Sequence, residues 1–430
     1  MCHLYFIFAC RNCFLFCIMD VAIIGGGAAG FFSAIHVRLR LPEARVVVFE
    51  KSAKVLGKVS LSGGGRCNLT NTFAHVGDLS RVYPRGHRVM KNLLREFGPK
   101  DTCRWFEEHG VPLVAQADDC VFPAAQDSAA IVGCLVRQAE RVGVTVETKT
   151  KICAVTIDHQ GWFQLRMSDG SFRPFQRVIL TIGGTPHAEA HDWLQALGHK
   201  LASPCPSLFT FTIPDSRLNA LMGIVVENVS VSIPGTRMRA QGPLLITHWG
   251  VSGPAILKLS SLAARYLQEQ GYRSRLLIDW TGGDTTDCVL ENLLELAGRS
   301  SRKMLSSVRP YGLQSRLWNY LLERAAVSAD QLWGALGRKS INRLANVLTA
   351  DVYEVTGKGS YKEEFVTCGG VMFESVESKT LESKVCRGLY FAGEVLDVDA
   401  ITGGFNLQAA WTTAYVAARS LATSAQEEQG

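Results

Sequence analysis

The 430-residue sequence has no unbroken apolar run long enough to cross a bilayer, which argues against a helical membrane protein. It has little excess charge: 45 Lys+Arg against 39 Asp+Glu leave +6, too small over this length to predict binding to nucleic acid or a membrane surface by itself. No second cysteine pair has metal-ligand spacing, and no Ser/His/Asp order or carboxylate pair supports hydrolysis. Only one full G-x-G-x-x-G unit occurs, so a separate NAD(P)H domain cannot be read from the chain.

What is present describes an ordinary globular protein. Hydrophobic residues make up 47%, charged residues 20%, and mean hydropathy is +0.09. The length allows two to four domains at roughly 100–200 residues each. Forty glycines and 14 prolines provide many tight turns. Thirteen cysteines suggest a disulfide scaffold, but such scaffolds are short and secreted; an odd number spread over a long chain reads as reduced thiols in a cytoplasm. Four of them, Cys2, Cys10, Cys13 and Cys17, crowd an apolar opening stretch broken by Arg11 and Asn12, which lacks the parts of a secretory signal. Cys10 and Cys13 have C-x-x-C spacing without a second pair, too little for a metal or redox site. Met19 stands directly before a buried-strand pattern. Residues 1–18 are therefore read as a doubtful extension and Met19 as the start.

Residues 21–24 form that strand pattern, Gly25-Gly26-Gly27-Ala28-Ala29-Gly30 fits G-x-G-x-x-G, and a helical pattern follows through Phe31 to His36. In this order a dinucleotide is expected. Gly25 allows the tight turn, Gly27 lets the backbone approach a pyrophosphate, Gly30 permits close packing, and the helix N-terminus at Ala28 and Ala29 faces the phosphate charge. A second strand pattern ends at Glu50, placed to accept hydrogen bonds from an adenosine ribose hydroxyl, with Lys51 beside it. A second glycine cluster, Ser62-Gly63-Gly64-Gly65-Arg66-Cys67-Asn68, adds backbone N–H groups and a fixed cation for an anion. This is surplus to a bare NAD domain and suits a longer, extended cofactor, so FAD is expected, held among others by Gly64, Gly65, Arg66, Cys67 and Asn68.

Near the C-terminus, residues 389–394 read as a strand ending in Gly393-Glu394 that must rejoin the first sheet, with Glu394 placed to bond the ribityl chain. Gly403, Gly404, Phe405 and Asn406 open a final helix over 409–418, whose N-terminus would stabilise the negative charge of reduced flavin. A third strand pattern, 178–182, ends in Gly183-Gly184 on the same edge.

Four stretches, GGGAAG, SGGGRCNLTN, THWGVSGPAILKLSS and GLYFAGEVLDVDAITGGFNLQAAWTT, in this order resemble the bacterial flavoproteins of the dehydro-bile-acid-reductase-like (BaiN/YhiN-like) family, some of whose members carry the label aminoacetone oxidase. The resemblance runs from Met19 to about residue 420. It implies an α/β fold: a Rossmann-like FAD-binding domain split by an inserted β-barrel-like module and a small helical module. It also implies that the family's phosphate and flavin contacts fall on Gly25, Gly27, Gly30, Glu50, Arg66, Asn68, Glu394, Gly404 and Asn406. Two departures bear on the substrate side: the turn after Gly184 is not glycine-rich, and Ala400 stands where the pattern has Gly.

Residues 202–280 alternate β-rich runs with Pro and Gly turns, and residues 286–349 read as short amphipathic helices. The expected division is a first segment of the FAD-binding domain over 19–200, a β-rich insert over 201–280, a helical insert over 281–349, a return through the β-rich insert over 350–366, and a closing segment of the FAD-binding domain over 367–425. The basic residues between Arg299 and Arg343 read as a solvated helical surface in preference to an RNA-binding face. Neither nucleic acid nor a membrane is expected as a partner, and the oligomeric state stays open.

Hydride transfer needs positioning over flavin N5 and a proton donor or acceptor, not a nucleophile. Cys67, His248 and the turn at 121–123 are the candidates near the flavin. Cys67, beside Arg66 in a glycine loop, reads either as a thiol of lowered pKa or as a packed loop cysteine, and His248 either as a proton donor or as a structural histidine. The expected function is FAD-dependent hydride transfer to or from a small-molecule substrate; either NADH or NADPH docks as a transient donor, or electrons come from the substrate and leave to oxygen or a protein partner. Resemblance implies reduction of an activated C=C bond in a steroid-like or other enone. Oxidation of a small amine or aminoketone, and a non-enzymatic flavin protein that binds RNA, are the alternatives.

Overall fold

The computed structural model describes residues 19–184, 192–359 and 366–429. Five strands form a parallel sheet in the order Leu389–Phe391, Arg177–Leu180, Asp20–Ile24, Arg45–Phe49, Thr145–Glu147. Val21, Ala22 and Ile23 in the central strand are fully buried, which is why this strand is a continuous apolar run and not an alternating one. Helices Ala28–Arg40 and Phe405–Gln429 pack on each other and against the sheet. An antiparallel meander, Ile152–Ile157, Phe163–Met167 and Phe172–Phe175, adds Phe163, Leu165 and Phe175 to the same core. The sheet is Rossmann-like, and its outer strand Leu389–Phe391 comes from the far end of the chain: Val178 pairs with Leu389 and Leu180 with Phe391.

The chain between these strands builds a second core. Seven antiparallel strands run in the order Asp351–Val355, Ser274–Asp279, Val225–Ser232, Arg239–Thr247, Gly250–Ser252, Phe211–Thr212, Gly357–Lys358. The two outermost are consecutive in the chain, so one continuous segment borders both ends and the sheet closes on itself as a barrel. Thr356, between them, donates its N–H to the Thr212 carbonyl at 3.0 Å. Helices Thr286–Arg299, Ser315–Arg324 and Arg338–Thr349 follow the barrel strand Ser274–Asp279, with Trp318 and Trp333 stacked at 6.2 Å among them. Two passages of chain lead in and out of this insertion, Leu201–Pro206 and Thr367–Val371, and they pair antiparallel.

Three local readings change. Gly250–Ser252 is a strand and not a break: it folds back on Arg239–Thr247 through the two-residue turn His248-Trp249. A Cβ on Gly250 would meet the Phe211 carbonyl oxygen at 2.3 Å, so glycine is what lets the next strand approach. Cys120–Pro123 is likewise a strand, paired with both Thr70–Asn71 and Leu113–Ala115, and not a turn. The final helix begins at Phe405, four residues early, because Gly403 and Gly404 at φ 124° and 87° end the loop directly before it. The C-x-x-C pair and the rest of 1–18, the turn from residue 185, and residues 360–365 lie outside the described residues.

Candidate cofactor site

The three motif glycines do three different things. Gly25, at φ 116°, turns so tightly that a Cβ would meet the Thr181 carbonyl oxygen at 2.3 Å. Thr181 donates its hydroxyl to the carbonyls of Ile24 and Gly25 at 3.0 and 2.9 Å. At Gly30 a Cβ would lie 1.9 Å from the Gly25 carbonyl oxygen, so helix and turn touch backbone to backbone. Gly27 is the opposite case, because a Cβ there meets nothing within 4 Å. Gly27 is also the N-cap of helix Ala28–Arg40, with no side-chain cap and no acid in the first turn. The helix thus presents uncapped N–H groups and its positive dipole end to open space, the arrangement that receives a phosphate.

Glu50 is fixed beside this turn. One carboxylate oxygen accepts the Gly26 N–H at 2.8 Å and the other accepts the N–H and hydroxyl of Ser52, both at 2.8 Å. The oxygen bonded to Gly26 keeps acceptor capacity for a ribose hydroxyl. Lys51 is exposed next to it. Buried Leu56, in a left-handed conformation, donates its N–H to the Gly26 carbonyl at 2.8 Å and closes the segment after Glu50 over the turn.

The second glycine cluster and the C-terminal motif meet. Gly64 and Gly65 have positive φ and open surroundings, whereas Gly63 packs against Phe122 and the Asn68 backbone. Arg66 lies over the Phe122 ring at 4.4 Å and donates to the Gly63 carbonyl at 3.2 Å and Gln126 at 3.3 Å. The Asn68 amide, oriented to satisfy its neighbours, donates to the Thr70 carbonyl at 3.0 Å and accepts the Gly404 N–H at 3.2 Å. A Cβ on Gly404 would strike the Thr70 carbonyl at 2.2 Å. Trp411 donates its indole N–H to the Leu69 carbonyl at 3.0 Å, and Thr70 donates its hydroxyl to Gln408 at 2.6 Å.

Gly393 and Glu394 complete this edge. The Gly393 N–H donates to the Thr413 hydroxyl at 2.9 Å, and a Cβ on Gly393 would crowd Ala29 at 2.9 Å. Glu394 lies against Gly183 and Gly184. One of its oxygens accepts the Thr367 N–H at 2.7 Å and the other pairs with the Lys58 ammonium at 2.7 Å. The residues expected to hold FAD therefore converge from five stretches of chain, and the open glycines, uncapped helix end and fixed carboxylate fit an extended dinucleotide.

Several side chains sit otherwise than expected. Cys67 is fully buried at φ 64°, and burial pushes its thiol up to about 11, in keeping with the packed loop cysteine of the two readings and not with the thiol of lowered pKa. His248 is exposed on the barrel hairpin, its ring edge-on to Trp249 at 4.4 Å. Phe405 turns inward against Phe73 and Tyr83, and Asn406 spends its amide on the Ala400 N–H and carbonyl, both at 2.9 Å. From these two residues only the backbone is free to face a ligand. Lys58 and Thr367 are partners that the motifs did not reveal. Lys58 carried a signal, a lysine just ahead of a glycine cluster, while Thr367 reaches Glu394 only through tertiary pairing. Among the described residues, no group of three or more His, Cys, Asp or Glu is arranged to hold a metal ion, and no helix is long and apolar enough to cross a membrane.

The model of the HI0933-like protein Rossmann domain matches residues 19–420. The chain belongs to the HI0933-like Rossmann family. It is 27% identical over 413 residues to the 3-dehydro-bile acid delta(4,6)-reductase of Clostridium scindens, covering 94% of this chain and 98% of that protein. It is 30% identical over 414 residues to the ribosomal RNA dihydrouridine synthase of Escherichia coli, with coverage of 94% and 98%. Among solved structures, the 3-ketosteroid delta1-dehydrogenase of Sterolibacterium denitrificans superposes at a TM-score of 0.51 with 12% identity, covering 94% of this chain and 99% of that one, a likeness of fold.

Proposed function

We propose that this FAD-dependent oxidoreductase saturates a C=C bond conjugated to a carbonyl, with NADH or NADPH as electron donor. The uncapped helix end at Gly27 beside Glu50 carries the cofactor reading. In this reading Gly25, Gly27 and Gly30 seat the pyrophosphate, Glu50 takes the ribose, and Gly64, Gly65, Arg66 and Asn68 line the flavin end. There Gly183, Glu394 and the N–H groups following Gly403 and Gly404 complete the site. FAD, when bound, supplies two-electron hydride chemistry. The substrate class is supported by the two curated relatives, because a delta(4,6) double bond of a 3-dehydro-bile acid and the uracil double bond lost in dihydrouridine are both conjugated to a carbonyl.

Of the two proton-donor candidates, burial and a raised thiol pKa speak against Cys67, and the exposure of His248 on the barrel hairpin supports it as the donor. Anaerobic mixing of the holoenzyme with NADH and NADPH, followed by an enone panel, tests the reading: bleaching of the flavin band by one nucleotide and its recovery by an enone are expected. A preparation that shows no flavin band and takes up no added FAD would falsify it. His248→Gln should lower kcat with the enone by about 10²-fold or more while leaving flavin reduction by the nucleotide unchanged.

A uridine in RNA is the second reading, favoured by the dihydrouridine synthase relative. Arg299, Arg302, Lys303, Arg309, Arg316, Arg338 and Lys339 of the helical module are exposed. Arg324, by contrast, is tied to Asp351, and Arg343 donates to the carbonyls of Ala325 and Ala326. Dihydrouridine formed in an rRNA transcript incubated with enzyme and nucleotide, with affinity falling steeply with salt, selects this substrate over a free enone.

A further inference from the structure

Cys205 and Cys368 lie directly opposite each other on the two strands that lead into and out of the insertion. Their sulfurs are 3.1 Å apart and both residues are fully buried. Among the nine cysteines of the described residues, all free thiols, these two alone have sulfurs in contact. With Ala264 they form a small separate cluster between the two large cores. The strand carrying Cys368 is held close by glycines on both sides of its backbone: a Cβ on Gly369 would strike the Ser203 carbonyl at 2.5 Å, and one on Gly370 the Val395 carbonyl at 2.3 Å.

We propose that Cys205 and Cys368 are an oxidisable dithiol that hydrogen peroxide converts into an intramolecular disulfide, joining the two passages between the sheet domain and the barrel. Opposed positions on paired strands bring the Cβ atoms within disulfide reach, and the sulfurs need to close by only about 1 Å. The oxidant must be small and uncharged to reach this buried site.

Cys205 is the attacking group. Its pKa is lowered by the hydrogen bond from the Cys368 thiol and by the guanidinium groups of Arg265 and Arg85, while the donating Cys368 is raised. The Cys205 thiolate attacks one peroxide oxygen, the O–O bond breaks, and the departing hydroxide takes up a proton to become water. The Cys368 sulfur then attacks Cys205 Sγ: the S–S bond forms, the S–O bond breaks, and the hydroxyl leaves as water with the Cys368 proton. Two thiols and one peroxide give one disulfide and two waters. The inference rests on this geometry and not on the cofactor assignment.

The test uses the reduced full chain, treated with hydrogen peroxide, denatured, alkylated and digested without reductant. Mass spectrometry is expected to find the peptides of Cys205 and Cys368 joined and two hydrogens lighter than their sum, with Cys67 and Cys134 still alkylated. Two separate alkylated peptides, or two separately overoxidised ones, would overturn the proposal. In Cys205→Ser, Cys368 should stay alkylatable after peroxide; its loss to another partner would also overturn it, and should that variant not fold, the wild-type mapping decides.

Discussion

Gly27 and Gly30 stand three residues apart in one motif, and the space around them separates binding from folding. Gly27 has an ordinary φ of −90° and open space where a Cβ would go. Gly27→Ala should therefore fold with an unchanged thermal midpoint without cofactor but weaken FAD binding by 10-fold or more, read by flavin titration. Gly30→Ala instead drives a methyl into the Gly25 carbonyl and should lower stability by about 3 kcal/mol, read by denaturant unfolding. His36, in the same helix, is packed against Phe32, Trp105 and Tyr415. Burial first, then the Arg40 and His109 charges, push its pKa from 6.5 down to about 3. The unfolded chain accepts the proton near 6.5 and the native one only near 3, so stability is unaffected above that window and falls as pH drops through it. The loss reaches at most about 5 kcal/mol. His36→Phe should flatten this acid slope, as measured by denaturant midpoints between pH 7 and 4.

Among the elements, the loop before the final helix depends on one amide. Asn406, in the first turn of helix Phe405–Gln429, folds back on Ala400 and Ile401 and so fixes Gly404 against Thr70 and Asn68. Asn406→Ala should cost about 1–3 kcal/mol of stability and loosen FAD binding, because three backbone groups of the loop lose their partner. Restoring the amide elsewhere would not help, since the geometry is local. Strong periodic patterns made the first strand, its helix and the glycine turn legible in the sequence. The Gly250–Ser252 strand was not, because its pairing is set by neighbours that only the closed barrel brings together.

Across the molecule, one buried ion pair couples the two cores. Arg85, from the sheet domain, forks onto Asp399, which is fully buried, and reaches the Ser207 hydroxyl at 3.1 Å and the Ser261 carbonyl at 2.9 Å in the insertion. Arg85→Met leaves the carboxylate uncompensated and should cost about 3–5 kcal/mol. Because the contact spans both cores, calorimetry should show one unfolding transition for the wild type and two for this variant. The double variant Arg85→Met/Asp399→Asn should recover some of the loss; no recovery would mean that packing, not charge, carries the coupling.

The dinucleotide turn, the glycine clusters and the return of the last strand could be read from residue order alone, because they depend on local backbone demands: positive φ, missing Cβ atoms and continuous apolar runs. What those residues do once assembled was decided in three dimensions. Folding buried Cys67, which raises the thiol pKa despite the adjacent cation, turned Phe405 and the Asn406 amide into supports, and bound Glu394 to Lys58 and Thr367. It also set Cys205 against Cys368. The apparent wealth of cysteine thus comes down, among the described residues, to one contacting pair, and no spacing rule finds two residues brought together by strands that leave and re-enter the same sheet domain.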